Sequence, residues 1–502
     1  MTSFIGSIDQ GTSSTRFTVY SATGEVIASH QVPVSRSTPH PGWVEQDPLE
    51  IINSVRLCMT NVANKLKKLG FSPNDVMGIG ITNQRETVVV WEKQTGRPLY
   101  NAVVWCDNRN ADLVENLAKQ VGGVNKFSDK TGLPLSPYFS ATKLLWLRQN
   151  VPEVQAAFDN GSCLVGNIDT WVTWCLTNGN TFVTDVTNAS RTLLMDIRKL
   201  EWDDELLKVF GVPKNALPRI MSCSEVYGRV TDQYGAFEGC AISGIIGDQQ
   251  ASLVGNKCLR KGTAKITYGT GCFLLCNTGE TPSFSERGLI TTVGYKFGRR
   301  SPVVYAVEGS VATCGFAVQW LGDILGKTES VADLAMSVEN SGGVYFVPAF
   351  SGLLCPHWRP DARGCFLGLT GYTSRGHIAR AVIEGIAFQA MEVLDAADMQ
   401  LNEVRVDGGL SRSDLLLQFQ ADLLNLDVLR GANVEATSKG AAIAAAYGIG
   451  MMGAGIITGD EECKTFRPSM SDSIRSKKKT MWKKAVTRAI GWIENDDDEK
   501  GE

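Results

Sequence analysis

The stretch Phe4-Ile5-Gly6-Ser7-Ile8-Asp9-Gln10-Gly11-Thr12-Ser13-Ser14-Thr15-Arg16-Phe17-Thr18-Val19-Tyr20 decides the fold class. Residues 4–8 are short and apolar, 11–15 form a turn of Gly, Ser and Thr, and 16–20 alternate with β-branched and aromatic residues. A further turn at 22–24 leads into an extended run at 25–34, so the chain opens strand, turn, strand, turn, strand. Such a first turn exposes backbone N–H groups that can cradle a phosphate. Thr12, Ser13 and Ser14 add hydroxyls, and Arg16 adds positive charge. Asp9, at the strand end, is placed to hold Mg²⁺ directly or through water. The same residues also suit an ordinary polar hairpin loop.

Working outward, Asp47-Pro48 reads as an N-cap and first helical position, followed by Leu49, Ile52, Val55 and Met59 at helical spacing. Residues 76–82 and 87–92 read as further strands. The second half repeats the opening plan: strand-like runs at 264–268 and 272–276 flank the turn Gly269-Thr270-Gly271. A third glycine turn, Asp407-Gly408-Gly409-Leu410-Ser411-Arg412-Ser413, follows the run 404–406, and its paired glycines permit close approach of a flat ring. The expectation is an α/β chain of two domains, each presenting a glycine turn to a shared cleft, divided as 1–255 and 256–502. The Ala- and Gly-rich run 441–457 lacks the Leu, Ile and Phe that drive membrane insertion and reads as a buried helix and turn packed closely on a sheet. Apolar residues from Ile474 to Ile493 predict an amphipathic helix with Lys477-Lys478-Lys479 on a solvated face, and the acidic tail 495–502 reads as disordered.

The bulk numbers exclude several classes. With 43% apolar and 20% charged residues and a net charge of -4, the 502-residue chain gives no electrostatic reason for a nucleic-acid or anionic-membrane partner. Thirteen cysteines, an odd number without a CxxC pair, read as reduced thiols, and only four histidines argue against metal chemistry based on them. There is no secretory signal or peroxisomal tail in the sequence, and a cytoplasmic location is expected. No GxxxxGK[ST] occurs, which sets aside the P-loop enzymes.

Acid–base candidates lie at strand ends. Asp248, after the apolar run 242–246, is either a general base facing the cleft or a helix N-cap. Arg85-Glu86, after 79–82, can grip a polyhydroxy compound, with Arg donating and Glu accepting, or form a surface ion pair. Trp105, Tyr138 and Phe273 are candidate apolar walls or plain core.

Taken together, these pieces resemble the FGGY carbohydrate kinases. Tyr138-Phe139-Ser140-Ala141-Thr142-Lys143-Leu144-Leu145-Trp146-Leu147-Arg148-Gln149-Asn150 fits the first signature of that family, and Gly364-Cys365-Phe366-Leu367-Gly368-Leu369 with His377-Ile378 and Ala381-Val382-Ile383-Glu384 fits the second. Asp9 to Arg16, Thr82 to Thr87, Asp185 to Thr192, Gly247 to Gln250 and Tyr268 to Phe273 are similar to the members that act on glycerol. Glu45-Gln46-Asp47-Pro48 and the stretch from Cys272 to Gly279 look more like eukaryotic than bacterial members.

The resemblance implies two ribonuclease-H-like domains of the actin and sugar-kinase superfamily around an interdomain cleft. It implies ATP and Mg²⁺ as cofactors, glycerol as acceptor, and sn-glycerol 3-phosphate and ADP as products. It assigns Arg85, Glu86, Tyr138 and Asp248 to glycerol, with Trp105, Gln249 and Phe273 also in the pocket and Asp248 as base. Thr12, Ser13, Ser14 and Arg16 fall at the phosphate turn, Thr270, Gly315, Gln319 and Gly409 at nucleotide contacts, and Asp9 and Asp248 at the metal. Ser413 replaces an Asn common near the adenine, which shortens that contact, and His357 and Ala436 also depart from the usual pattern. The segment from Tyr234 to Cys240 carries an acid and no Arg or Lys, so regulation by fructose 1,6-bisphosphate is not expected. A homodimer or higher homo-oligomer is the expected assembly. The competing readings are a kinase of the same family acting on a larger sugar, and an actin-like ATPase without a small acceptor.

Overall fold

The computed structural model describes residues 3–231, 236–326, 329–431, 435–459 and 462–493. In the first half, β1 (Phe4–Gln10), β2 (Ser14–Ser21) and β3 (Val26–Pro33) pair antiparallel in sequence order. On the other side of β1, β4 (Val76–Asn83) and then β5 (Ala241–Gly247) add in parallel. Ile5, Ile8, Phe17, Ile79, Ile81, Ile242 and Ile245 are buried along these strands, each contributing roughly 1.5–3 kcal/mol. Helix α1 (Pro48–Lys68) covers one face of this sheet and begins as expected, with Asp47 Oδ1 accepting from Leu49 N at 2.8 Å. Its buried stripe includes Ile52, Val55 and Met59, whereas Leu49 falls outside it in solvent. Helix α2 (Ser140–Asn150) holds the first signature stretch, and α3 (Asp248–Gly255) follows β5 directly.

The second half repeats the plan. Strand β6 (Thr263–Tyr268) pairs antiparallel with β7 (Cys272–Gly279), and β7 with β8 (Val304–Val311). Helices α4 (Gly315–Ile324) and α5 (Arg375–Ala396) come next in the chain. Strand β9 (Glu403–Asp407) adds to β6 in parallel, helix α6 (Asp414–Leu424) follows, and β10 (Val428–Gly431) then extends the parallel side. Both sheets, of six and seven strands, therefore share a central spatial order 3-2-1-4-5 with three antiparallel strands and two parallel ones, which is the expected ribonuclease-H-like layout. The two sheets are linked near these strand ends: Arg85, after β4, bonds Glu308 of β8 at 2.6 Å, and Ser252 of α3, after β5, bonds Asp407 of β9 at 2.7 Å.

Helix α7 (Ala436–Gly448) belongs by sequence to the second half but packs on β1, β4 and β5 and against α3. It explains the Ala/Gly run. A Cβ at Gly440 would lie 1.8 Å from Ala251 O, one at Gly255 1.9 Å from Ala436 O, and one at Gly80 2.1 Å from Ala441 O. Only glycine fits where helix backbones touch this closely. Among the described residues no helix is long and apolar enough to cross a membrane.

At the end of the described chain, α8 (Asp472–Ala489) buries Trp482, Ala485, Val486 and Ala489, and Trp482 stacks on Phe388 of α5 at 4.9 Å. Ile474 and Ile493 stay exposed. The lysine-rich face is not merely solvated: Lys478 bonds Glu384 at 3.2 Å and Lys479 approaches Asp395 at 3.7 Å. The acidic tail 495–502 lies outside the described residues.

The helix contact makes a direct prediction. Gly440→Ala lowers the unfolding free energy by about 1–3 kcal/mol, the usual penalty for overpacking. Gly453→Ala, where a Cβ meets nothing within 4 Å, leaves the melting midpoint nearly unchanged.

Candidate active site

Asp248 is the first residue of α3, with Gly247 and not Asp248 at the N-cap position. Its Oδ1 accepts from Gln249 N at 2.7 Å and forms an ion pair with Arg85 Nε at 3.1 Å. The positive end of the helix favours a carboxylate there. Burial nevertheless raises the Asp248 carboxyl above its ordinary value, with Arg85 pulling the other way. That combination suits a base rather than an inert cap.

Arg85 and Glu86 follow β4, are almost fully buried, and do not pair with each other. Arg85 forms a fork with Glu308 of β8, at 2.6 Å from Nη1 and 2.8 Å from Nη2. Its Nη1 also reaches Gln250 Oε1 at 3.2 Å. Glu86 accepts instead from Arg191 Nε, and Arg191 Nη2 stands 3.6 Å from Glu308. Glu86 sits at φ 59°, a left-handed conformation that a residue with a Cβ adopts only when its surroundings enforce it. The result is one buried chain of alternating charge: Glu86, Arg191, Glu308, Arg85, Asp248. Burial opposes ionisation of Glu308, but Arg191 and Arg85 overcome it and hold its carboxyl at about 2. The surface-pair alternative for Arg85-Glu86 is thus excluded.

Trp105, Tyr138 and Phe273 come together from three parts of the chain. Trp105 lies 5.5 Å from the Tyr138 ring and 6.4 Å from that of Phe273, and its Nε1 donates to Thr12 Oγ1 at 2.9 Å. Tyr138 is set by the signature lysine: Lys143 of α2 is fully buried and donates to the carbonyls of Pro137, at 2.8 Å, and Tyr138. Burial pushes this ammonium down to about 7. Gln249 Oε1 accepts from Lys265, a buried lysine that also donates to Thr267 Oγ1 at 2.8 Å.

On the phosphate side, Gly11 N bonds Ser14 O at 2.9 Å and closes the first turn. Ser14 Oγ accepts from Gln31 at 2.7 Å, while Ser13 is exposed. Arg16 is less free than expected, because Glu435 and Gln31 hold its guanidinium at the side of the turn. The Gly269-Thr270-Gly271 turn faces outward, with Thr270 exposed. Gly315 serves packing rather than a free amide: its N–H is taken by Gly269 O at 2.9 Å, and a Cβ would approach that oxygen to 2.7 Å. Gln319, one turn on in α4, is exposed. Gly408 sits at φ +87° against Tyr268, and at Gly409 a Cβ would meet no atom within 4 Å, which leaves open backbone. Ser413 has a structural task, since its Oγ caps α6 by accepting from Leu416 N at 3.3 Å.

Asp9 at the end of β1 is raised to about 7, first by burial and also by repulsion from Asp248 and Glu435, with Arg16 lowering it. A carboxylate raised in part by the charge of another, as Asp9 is by Asp248, suits a divalent cation nearby. Among the described residues no cluster of three acidic, His or Cys groups exists. A hard cation that keeps most of its waters fits that sparse donor set. Of the segment from Tyr234 to Cys240, Tyr234 and Gly235 lie outside the described residues, and Phe237 packs edge-on to Phe17 at 5.2 Å.

Glu308, Arg191, Gln250 and Lys265 were not singled out from the sequence. Glu308 and Lys265 each carry a signal, a lone charge inside the strands Val304–Val311 and Thr263–Tyr268, while Arg191 and Gln250 fall in stretches quoted above for the resemblance but given no role.

Two like sheets facing a cleft, with a carboxylate at one strand end and glycine turns opposite, define the class of nucleotide-dependent phosphotransferases built on the actin and sugar-kinase fold. Residues 4–255 match the FGGY family of carbohydrate kinases, N-terminal domain, and residues 264–449 its C-terminal domain. The chain belongs to that family. It is 46% identical to a probable glycerol kinase of Dictyostelium discoideum, over 98% of this chain and 99% of the relative. It is 47% identical to a glycerol kinase of Arabidopsis thaliana, over 97% and 98%. The crystal structure of Plasmodium falciparum glycerol kinase with ADP superposes with a TM-score of 0.92 at 39% identity, covering 98% of this chain and 99% of that one. A gluconate kinase from Lactobacillus acidophilus shares the fold, with a TM-score of 0.84 at 22% identity.

The charge chain predicts a pH signature. A folded carboxyl held at about 2, against an ordinary 4.5, stabilises the protein above pH 4.5 and loses that contribution as pH falls toward 2. The gap in melting midpoint between the wild type and Glu308→Gln therefore narrows as the pH is lowered from about 5 to about 3.

Proposed function

We propose that this chain transfers the γ-phosphoryl group of ATP to a terminal hydroxyl of glycerol, giving sn-glycerol 3-phosphate and ADP. The observation that carries this reading is Asp248, one carboxylate oxygen of which is fixed by Arg85 and the α3 amide. The near full-length relatives named as glycerol kinases support the choice of acceptor. In this reading Asp248 orients the attacking hydroxyl and takes its proton, while Arg85 and Glu86 bind a second hydroxyl. Thr12, Ser13, Ser14 and Thr270 meet the phosphates, and the open backbone at Gly409 accommodates the nucleoside. Residues 1–255 hold the acceptor and 256–502 the nucleotide. Asp9 and Asp248 would hold Mg²⁺, which shields phosphate charge when bound. Phosphoryl transfer depends mostly on positioning and electrostatics, so closure that excludes water protects the transfer from hydrolysis. The thirteen free thiols fit a reducing cytoplasm. A homodimer or higher homo-oligomer is the assembly we infer by family analogy.

The close aromatic walls favour glycerol over a pentulose or hexulose. Glycerol offers little apolar surface, so selection rests on hydrogen bonds. Sites of this kind reject deoxy analogues by as much as about 10⁴–10⁵. With a panel of acceptors, 1,2-propanediol and 1,3-propanediol are therefore expected to be far poorer than glycerol. Equal rates across the panel would remove the hydrogen-bonding account. Asp248→Asn is expected to lower turnover by about 10²–10⁴ with ATP binding largely kept. Near-normal turnover would take Asp248 out of the chemistry.

A further inference from the structure

The acceptor residues are already partly engaged by the protein, and what remains unengaged is small enough to count. Arg85 has five N–H donors. Nε is ion-paired with Asp248 at 3.1 Å; Nη1 bonds Glu308 Oε2 at 2.6 Å and Gln250 Oε1 at 3.2 Å; Nη2 bonds Glu308 Oε1 at 2.8 Å. Three donors are hydrogen-bonded and Nε faces the Asp248 carboxylate, so one N–H on Nη2 has neither kind of partner. Gln250 cannot turn away, because its own amide donates to Thr292 Oγ1 at 3.1 Å and Val293 O at 3.2 Å. Glu86 gives Oε1 to Arg191, which leaves Oε2. Asp248 gives Oδ1 to Arg85 and to Gln249 N, which leaves Oδ2.

One free donor on Arg85 and one free acceptor on the next residue, Glu86, are together the complement of a single hydroxyl, which accepts through oxygen and donates through hydrogen. The remaining Asp248 oxygen serves the reacting hydroxyl. Glu308 determines this count, because it takes two donors of Arg85 at once and also faces Arg191 at 3.6 Å. It comes from β8, in the half of the chain opposite Arg85, Glu86 and Arg191.

We propose that Glu308 is the positioning residue that sets acceptor specificity: it fixes the Arg85 fork so that Arg85 and Glu86 together present one hydroxyl-sized vacancy, and it does so from across the cleft. The proposal rests on the glycerol reading above. It adds a residue that does not touch substrate and acts through Arg85. Without Glu308, two guanidinium donors of Arg85 become free and the fork loses its fixed plane. The acceptor site then binds glycerol more weakly and discriminates less against analogues that lack a hydroxyl.

The test uses the full-length enzyme and two variants, Glu308→Gln and Glu308→Asp. Steady-state kinetics are measured with glycerol, 1,3-propanediol and ATP, and a rise in melting midpoint on adding ADP reports a folded nucleotide side. For Glu308→Gln the expected result is a glycerol KM raised about tenfold or more, as misplacement of a binding group produces, with the ATP KM changed by less than about twofold. The glycerol preference over 1,3-propanediol shrinks by about tenfold or more. Glu308→Asp keeps the charge with a shorter reach and falls between wild type and Glu308→Gln. If Glu308→Gln shows no ADP response, Glu308→Asp decides alone by the same glycerol-specific split. An unchanged preference in folded variants, or equal rises of both KM values, overturns the proposal. A wild type that fails to phosphorylate glycerol at all defeats the functional reading instead, and is read before either variant.

Discussion

Five charged side chains, Glu86, Arg191, Glu308, Arg85 and Asp248, run in alternation through the interior of the cleft, and four of them are 1–3% exposed. An isolated buried ion pair often fails to recover its desolvation penalty. Alternation changes that balance, because each interior member has a partner on both sides. Burial alone would raise the Glu308 carboxyl, and its two arginines instead bring it to about 2. Arg85, disfavoured by the same burial, is held well above its ordinary value by Glu308, Glu86 and Asp248. Removing one interior member takes one of two partners from each neighbour in a low-dielectric site, and breaking a buried pair typically costs about 3–5 kcal/mol. The chain joins the two halves, because Glu308 comes from β8 and the other four members from the first half.

Packing joins the halves as well. The contact of α7 with α3 and the first sheet is made by backbone against backbone, at Gly80, Gly255 and Gly440. The helix that crosses from the second half seats directly behind the strands whose ends carry Asp9, Arg85 and Asp248. Side-chain bulk at those glycines would push α7 away from α3 and these strands. The small-residue contact on one side of the sheet and the ion chain at the strand ends are two parts of one constraint on the cleft.

Much of this was legible in the sequence because it depends on local spacing. The strand and turn around Asp9, the N-cap at Asp47, the paired glycines at 408–409 and the buried Ala/Gly helix all follow from short-range rules, and the structure contains each of them. Side-chain partners were not legible. Arg85 and Glu86, adjacent in sequence, turn to Glu308 and Arg191, which lie 223 and 105 positions away. Arg16 meets Glu435 across the halves rather than standing free at the turn. Ser413, which the resemblance put near the nucleotide, also caps α6, a task that its place three residues before Leu416 allows. Register between distant strands is what places these groups, and no window of sequence contains it.

The central claim is that the cleft delivers a phosphoryl group to a carbon-bound hydroxyl and keeps water out. Phosphorus NMR of the enzyme incubated with ATP, Mg²⁺ and glycerol reads this directly. The account predicts one new phosphate-monoester resonance that grows in equal amount with ADP, and little inorganic phosphate. ADP accumulating with inorganic phosphate and no ester would contradict it and mark the chain as an ATPase.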